Sequence, residues 1–265
     1  MQAIILCGGR GTRLQEETNL RPKPMVLIGG RPMLWHIMSH YRTHGVRDFV
    51  LCLGYKGEII RDYFLNFRRH NIDVRVDLAT DAVTMLGSTQ VDWRVTLVDT
   101  GAEAMTGARI VRALKFISGE RVFATYGDGL ANIDIAELLA FHVSQGKHAT
   151  VTAVRPSSRF GELLLDEHVV RSFIEKPQTS AGWINGGFFV FDTAAIRALP
   201  DEEDLSLEAG VLSALAAKCD LAVYKHSGFW QCMDTYKDKI TYERLEAKGD
   251  CPWKVWEAPA PAGKL

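Results

Sequence analysis

The chain has 265 residues, 47% hydrophobic and 24% charged, enough to bury a full core and too apolar for a disordered or fibrous protein. Its 31 Lys and Arg against 32 Asp and Glu leave a net charge of -1, which argues against nucleic-acid or membrane-surface binding, since both favour a basic excess on one face. There is no charged leader with an apolar stretch and cleavage site and no run of about eighteen apolar residues, so a cytoplasmic location is the expectation.

Short apolar runs alternate with amphipathic stretches, the pattern of βα units on a mostly parallel sheet. Ala3–Leu6 reads as a first strand; Pro32 opens a helix over Met33–His44, Gly45 stops it, and Asp48–Leu53 completes a βαβ unit. Gly57–Phe67 reads as a helix, Val74–Leu78 and Val95–Val98 as strands, Thr80–Trp93 as a loop, Ala108–Ile117 as a helix and Arg121–Tyr126 as a strand. A helix over Asp134–Gln145 precedes strands at Ala149–Val154, Val169–Glu175 and Gly187–Phe191. Thr193–Leu199 and Leu207–Ala217 read as helices, Leu221–Lys225 as a last strand, and a helix runs from Tyr236 to Lys248. The expected fold is α/β, a Rossmann-like, mostly parallel mixed sheet flanked by helices. Residues 1–235 are expected to form the main domain, 236–257 a C-terminal helix and tryptophan-bearing segment, and 258–265 a mobile Pro/Ala/Gly tail.

Directly after the first strand stand Gly8, Gly9, Arg10, Gly11, Thr12, Arg13 and Leu14, a loop whose small residues let backbone N–H groups approach an anion. It lacks the Gly-Lys-Ser/Thr ending of a P-loop. It also lacks the third glycine of a dinucleotide fingerprint, at position 14, and Gly54 and Tyr55 stand where that fingerprint needs an acid. Arg10, Arg13, Arg21 and Lys23 against Glu16 and Glu17 make a local cationic patch, with Lys23 stiffened between Pro22 and Pro24. Asp128, between Gly127 and Gly129, follows a predicted strand, where a carboxylate projects into the crevice at the sheet's carboxyl edge. A second acid, Asp234, lies over a hundred residues later in Met233-Asp234-Thr235.

Gly-x-Gly-Thr-Arg-Leu over residues 9–14, followed by Pro22-Lys23-Pro24, resembles the signature of sugar-phosphate nucleotidylyltransferases. The resemblance implies that Leu6, Gly8, Gly9, Gly11, Thr12, Arg13 and Lys23 surround a nucleoside triphosphate, with Arg13, Lys23 and Lys176 serving catalysis. It implies that Asp128 and Asp234 hold Mg²⁺, an ion that prefers one or two carboxylates plus phosphate oxygens and water. It places Gly161, Glu175, Lys176, Asn185 and Gly186 around a sugar phosphate. Val98-Asp99-Thr100-Gly101, Met105 to Arg109, Trp35 to Met38 and the ending Cys251 to Glu257 resemble the cytidylyltransferase branch, which implies CTP and glucose 1-phosphate as substrates, Thr106 and Gly107 near the pyrimidine, and homo-oligomers. The chain departs from that branch at Ala108, where a glycine is usual and the methyl is expected to narrow the base pocket. It departs also at Glu162, where alanine is usual, and over Leu207–Leu212, where a Trp and a Glu are missing; a different phosphorylated acceptor is the alternative these leave open.

Other groups invite plainer readings. His36, His40 and His44 share a helix face without an acidic or thiol partner and read as packed histidines. The five cysteines show no metal-ligand spacing and read as reduced thiols. Trp253 and Trp256 read as core or subunit cover. Two other classes compete with a transferase: a catalytically silent nucleotide-binding regulator, disfavoured by the full set of Arg13, Lys23, Asp128, Lys176 and Asp234, and an NAD-dependent oxidoreductase, disfavoured by the incomplete fingerprint.

Overall fold

The computed structural model describes residues 1–156, 162–166, 169–174 and 182–257. Seven strands make the central sheet: β1 (Gln2–Leu6), β2 (Asp48–Leu53), β3 (Arg94–Asp99), β4 (Arg121–Tyr126), β5 (Ala149–Val154), β6 (Ile184–Asp192) and β7 (Leu221–His226). Their spatial order is β7-β5-β6-β4-β1-β2-β3. β1 runs parallel to β2 and β4, β2 to β3, and β5 to β7, while β6 runs antiparallel to both its neighbours. The mixed, mostly parallel Rossmann-like sheet expected from the sequence is therefore present.

Side chains alternate across each strand, and here both faces are covered. Ala3, Ile5 and Cys7 join one core, with Phe49, Phe123 and Phe188 and the helix Met33–Thr43, which contributes Met33, Leu34, Ile37, Met38 and Tyr41. Ile4 and Leu6 join the other, with Val50, Val122 and the helix Thr106–Ala113, which contributes Ile110 and Ala113. Pro32 precedes the first of these helices with φ already near -58°, and Gly45, at φ 83°, follows its end in the left-handed region that suits glycine. The C-terminal helix Tyr236–Lys248 opens on a capping box between Thr235 and Asp238 and closes on Gly249 at φ 67°. Its Tyr242, together with Trp253, is fully buried in the first core, so this segment is part of the same packed body.

Several elements differ from the sequence reading. The stretch expected to be a loop, Thr80–Trp93, contains the strand Ala82–Met85, paired antiparallel with Val74–Asp77. This hairpin carries apolar residues exposed to solvent, so it shows no half-buried alternation to read. Gly129–Ala131 and Trp230–Cys232, each three residues long, pair across the molecule and are too short for any periodic signal. A strand at Glu162–Asp166 pairs with Val169–Ile174. The segment Leu207–Ala217 divides into a π-helical turn, Leu207–Leu212, and a short α-helix, Ser213–Ala217. Residues 258–265 lie outside the described residues. Among the described residues no helix is long and apolar enough to cross a membrane.

Candidate active site

The segments at the carboxyl ends of β1, β2 and β3 meet around the buried side chain of Arg109. Its guanidinium donates to Gly8 O at 3.3 Å, Leu53 O at 3.0 Å, Thr100 Oγ1 at 2.8 Å, Gly101 O at 2.8 Å and Ala102 O at 3.2 Å. Burial pulls its pKa down from the ordinary arginine value, yet a guanidinium stays protonated, so these acceptors meet a full positive charge. A Cβ on Gly8 would overlap Arg109, and one on Gly54 would lie 2.6 Å from its Nη1; both glycines make room for it. Sequence reasoning named Arg109 only as part of a motif, because nothing in the spacing shows a helix residue reaching under three loops.

Lys23 lies in a short 3₁₀ turn, Lys23–Met25, packed against the end of β4. A Cβ on Gly127 would come within 2.7 Å of Leu6 O and 2.8 Å of Pro24 Cγ, so the glycine lets the proline-stiffened turn approach Asp128. The Lys23 ammonium donates to Asp128 Oδ2 at 2.8 Å and Asp234 Oδ1 at 2.7 Å, and Arg13 Nη1 donates to Asp234 Oδ2 at 3.1 Å. Burial works against the Lys23 charge, but the two carboxylates outweigh it and hold its pKa above the ordinary lysine value. For Asp234 burial pushes upward, and the hydrogen bond and charge of Lys23 with the charge of Arg13 bring it below the usual carboxylate range. The two acids are joined by backbone: Cys232 pairs with Gly129, and Met233 N donates to Asp128 O at 2.7 Å. Two carboxylates facing one cation site, with open space beside them, suit a divalent ion that draws its remaining ligands from phosphate and water. Among the described residues no group of three or more His, Cys, Asp or Glu forms a cage of its own.

A cavity of about 320 Å³ opens over this loop cluster, walled by Leu6, Gly8, Lys23, Thr106, Tyr126 and Glu208 among others. A smaller polar pocket of about 280 Å³, lined by Gly11, Thr12, Arg13, Lys23, Asp128 and Asp234, adjoins it through Gly11, Lys23 and Asp128. Glu208 joins the walls: its carboxylate accepts from the Tyr126 hydroxyl, from Thr106 Oγ1 at 2.8 Å and from Ser206 Oγ at 3.0 Å, and Asn185 Nδ2 donates to Tyr126 Oη at 3.1 Å. Burial pushes Glu208 upward, but these donors hold it below the usual carboxylate range; burial and the neighbouring Glu208 charge raise the Tyr126 phenol. Sequence reasoning missed the pair because Tyr126 and Glu208 belong to separate motifs, one at a strand end and one in the π-helical turn.

The structure thus gathers Leu6, Gly8, Gly9, Gly11, Thr12, Arg13, Lys23, Thr106, Asp128 and Asp234 around one opening, with Asn185 touching its wall through Tyr126. Gly186 sits behind that wall, its carbonyl accepting from Trp230 Nε1 at 2.7 Å. Gly107 is buried, and a Cβ there would lie 2.8 Å from Leu205 O, so the residue serves the packing beneath Thr106. Ala108 is fully buried, with its N–H on Leu205 O, and its methyl group does not narrow the cavity as expected. Gly161, Glu175 and Lys176 lie outside the described residues. Of the basic patch, Arg10 pairs with Glu103 and Arg21 lies 3.8 Å from Glu17, leaving Arg13 and Lys23 at the acids. His36 Nε2 and His40 Nε2 bond the carbonyls of Ile28 and Ile133, and Trp253 is core.

The family model for nucleotidyl transferases matches residues 2–238. A glucose-1-phosphate cytidylyltransferase of Salmonella typhi is 47% identical over 258 residues, 97% of this chain and 100% of its own. A probable glucose-1-phosphate cytidylyltransferase of Bacillus subtilis is 43% identical over 256 residues, with 97% and 100% covered. Among solved structures, HddC from Yersinia pseudotuberculosis superposes with a TM-score of 0.67 at 23% identity, covering 92% of this chain and 98% of that one. The inositol-1-phosphate CTP transferase from T. maritima superposes with a TM-score of 0.63 at 18% identity, covering 93% and 95%. These structures share the fold.

Proposed function

The chain belongs to the nucleotidyl transferase family, and from that membership we propose that it transfers the cytidylyl group of CTP to glucose 1-phosphate, giving CDP-glucose and pyrophosphate. The observation that carries the reading is the convergence of Lys23 and Arg13 on Asp128 and Asp234 beside a glycine-lined cavity, in a chain 47% identical to a cytidylyltransferase over its whole length.

In this reaction a phosphate oxygen of the sugar phosphate attacks the α-phosphorus of CTP. One P–O bond forms, the bond to the β-phosphate oxygen breaks, and pyrophosphate departs with the electron pair. The protein's part is positioning and charge cancellation, with no covalent enzyme intermediate. Amides of the Gly8–Gly11 loop approach the triphosphate, and Arg13, with 75% of its side chain exposed, is free to turn from Asp234 toward the leaving pyrophosphate. Lys23 is placed to exchange carboxylate contacts for phosphate ones. Lys176, Glu175, Gly161, Asn185 and Gly186 are assigned to the sugar phosphate, with Lys176 orienting the attacking oxygen. Asp128 and Asp234 would hold Mg²⁺, which when bound neutralises charge on the phosphates. Assembly into homo-oligomers belongs to the same reading.

The test is pyrophosphate release with Mg²⁺ from CTP, UTP, dTTP, ATP and GTP, each with glucose 1-phosphate and a panel of other sugar phosphates. Fast release with CTP and glucose 1-phosphate alone is expected. Release with CTP and a different sugar phosphate would replace the acceptor, and silence in every pairing would overturn the reading.

A further inference from the structure

A second cavity, of about 400 Å³, is lined in part by Arg21 and Met25, which flank the Pro22–Pro24 turn. Its wall has two chemical characters. Leu27, Pro32 and Ile59 give it apolar lining, and Arg21 and Arg31 give it positive charge, with no carboxylate among the lining residues. Arg31 is a cation without an acidic partner among the described residues: its guanidinium donates to Asn71 Oδ1 at 2.5 Å and lies 5.4 Å from the Trp35 ring centre, both neutral groups. Burial raises the pKa of the Tyr63 hydroxyl, also in this wall, and the charge and hydrogen bonding of Arg31 lower it, so the guanidinium reaches this group as well. A guanidinium with no carboxylate partner attracts a phosphate, for which its planar fork is suited.

We propose that this cavity is a regulatory site for a small phosphate ester with an apolar body, held by Arg31 through its phosphate and by the Leu27, Pro32 and Ile59 lining through its ring. Its link to the active site is covalent and short. Arg21 and Met25, both in the cavity wall, bracket Lys23, whose ammonium holds Asp128 and Asp234. The two prolines stiffen this segment, so a ligand that shifts Arg21 or Met25 also shifts the ammonium that orders the acid pair. Arg21 is held only loosely, 3.8 Å from a Glu17 that also pairs with Lys239, and is free to turn to a second anion.

Phenyl phosphate is the direct probe, because it carries both halves of the ligand, whereas inorganic phosphate and phenol each carry one. Titration calorimetry on the full-length enzyme is expected to show saturable binding of phenyl phosphate at least about tenfold tighter than of either half. Arg31→Ala, an exposed position, and Ile59→Phe, which adds bulk to the apolar lining, should each weaken it by about tenfold while thermal unfolding stays as in the wild type. In pyrophosphate-release assays phenyl phosphate should change the KM for the nucleotide by about fivefold or more in the wild type and leave it unchanged in Arg31→Ala, a coupling of ordinary allosteric size. Absence of saturable binding, as when a second copy of the chain covers this face, would overturn the proposal. So would binding that both variants leave intact, or binding with no change in KM. An enzyme that uses another nucleotide or sugar would still show the binding and its loss in Arg31→Ala, so failure of the substrate assignment remains distinguishable.

Discussion

Arg109 occupies the volume that a side chain at position 8 would need. Gly8 therefore makes room for a buried cation, and Gly8→Ala should destabilise the fold by about 1–3 kcal/mol, as overpacking does. In an Arg109→Ala background the same change should cost nothing further. A double-mutant cycle in urea unfolding checks this; additive losses would separate the two residues.

Asp128 and Asp234 share one ammonium, so each loses its role if the other is neutralised. Asp128→Asn and Asp234→Asn should each lower turnover by roughly a hundredfold or more, the scale of a lost charge-stabilising group. The double variant should fall little below either single one. Pyrophosphate release at saturating Mg²⁺ is the readout, with circular dichroism to show an intact fold; near-normal turnover in either single variant would remove that acid from the mechanism.

Glu208 collects three hydroxyl donors, and an amide there would oppose its own N–H groups to at least one of them. Glu208→Gln should lower kcat/KM by about tenfold or more, since a hydrogen bond to a charged group is worth roughly 1.5–3 kcal/mol. Glu208→Asp, which keeps charge but shortens reach, should recover only part. Steady-state kinetics for both substrates separates a wall defect, seen in KM, from a chemical one, seen in kcat.

Burial lowers His40 from 6.5 to about 4, opposed by its bond to the Ile133 carbonyl. A group with a depressed folded pKa adds stability that is complete above its unfolded value and is lost as pH falls through the folded one. Unfolding free energy should therefore decline between about pH 6.5 and pH 4, by about 3 kcal/mol from this residue if it acts alone. Urea unfolding at pH 7, 5.5 and 4 tests the sign, and His40→Gln should flatten the slope while lowering stability at pH 7.

Elements that carry their own punctuation were legible before any coordinates. Asp48–Leu53 and Arg121–Tyr126 have the strand bounds read from their apolar runs, and Tyr236–Lys248 has the helix bounds, because a capping residue and a terminal glycine mark it. The loop motif and its lysine were legible for the same local reason. What escaped is made of contacts between distant segments. The short pairing of Gly129–Ala131 with Trp230–Cys232 has no pattern of its own, and neither does the grip of Glu208 on Tyr126 or the reach of Arg109 beneath three loops. Ala108 misled because a departure from the family's usual glycine was taken to face the base pocket, whereas the residue is fully buried and outside the cavity lining.

The same short pairing that draws Asp128 and Asp234 together has a consequence for the life of the chain. A ribosome must add more than a hundred residues after Asp128 before Asp234 exists to meet it, so a partly made molecule can own the glycine loop and still lack the acid pair. Proteolysis between positions 131 and 230 need not remove a single residue of the acid pair to threaten it: the two strands would then be held to each other by their few hydrogen bonds and the surrounding core, with the intervening covalent path gone. The acid pair is in this sense a late product of synthesis, assembled only when two distant stretches of one chain are both present.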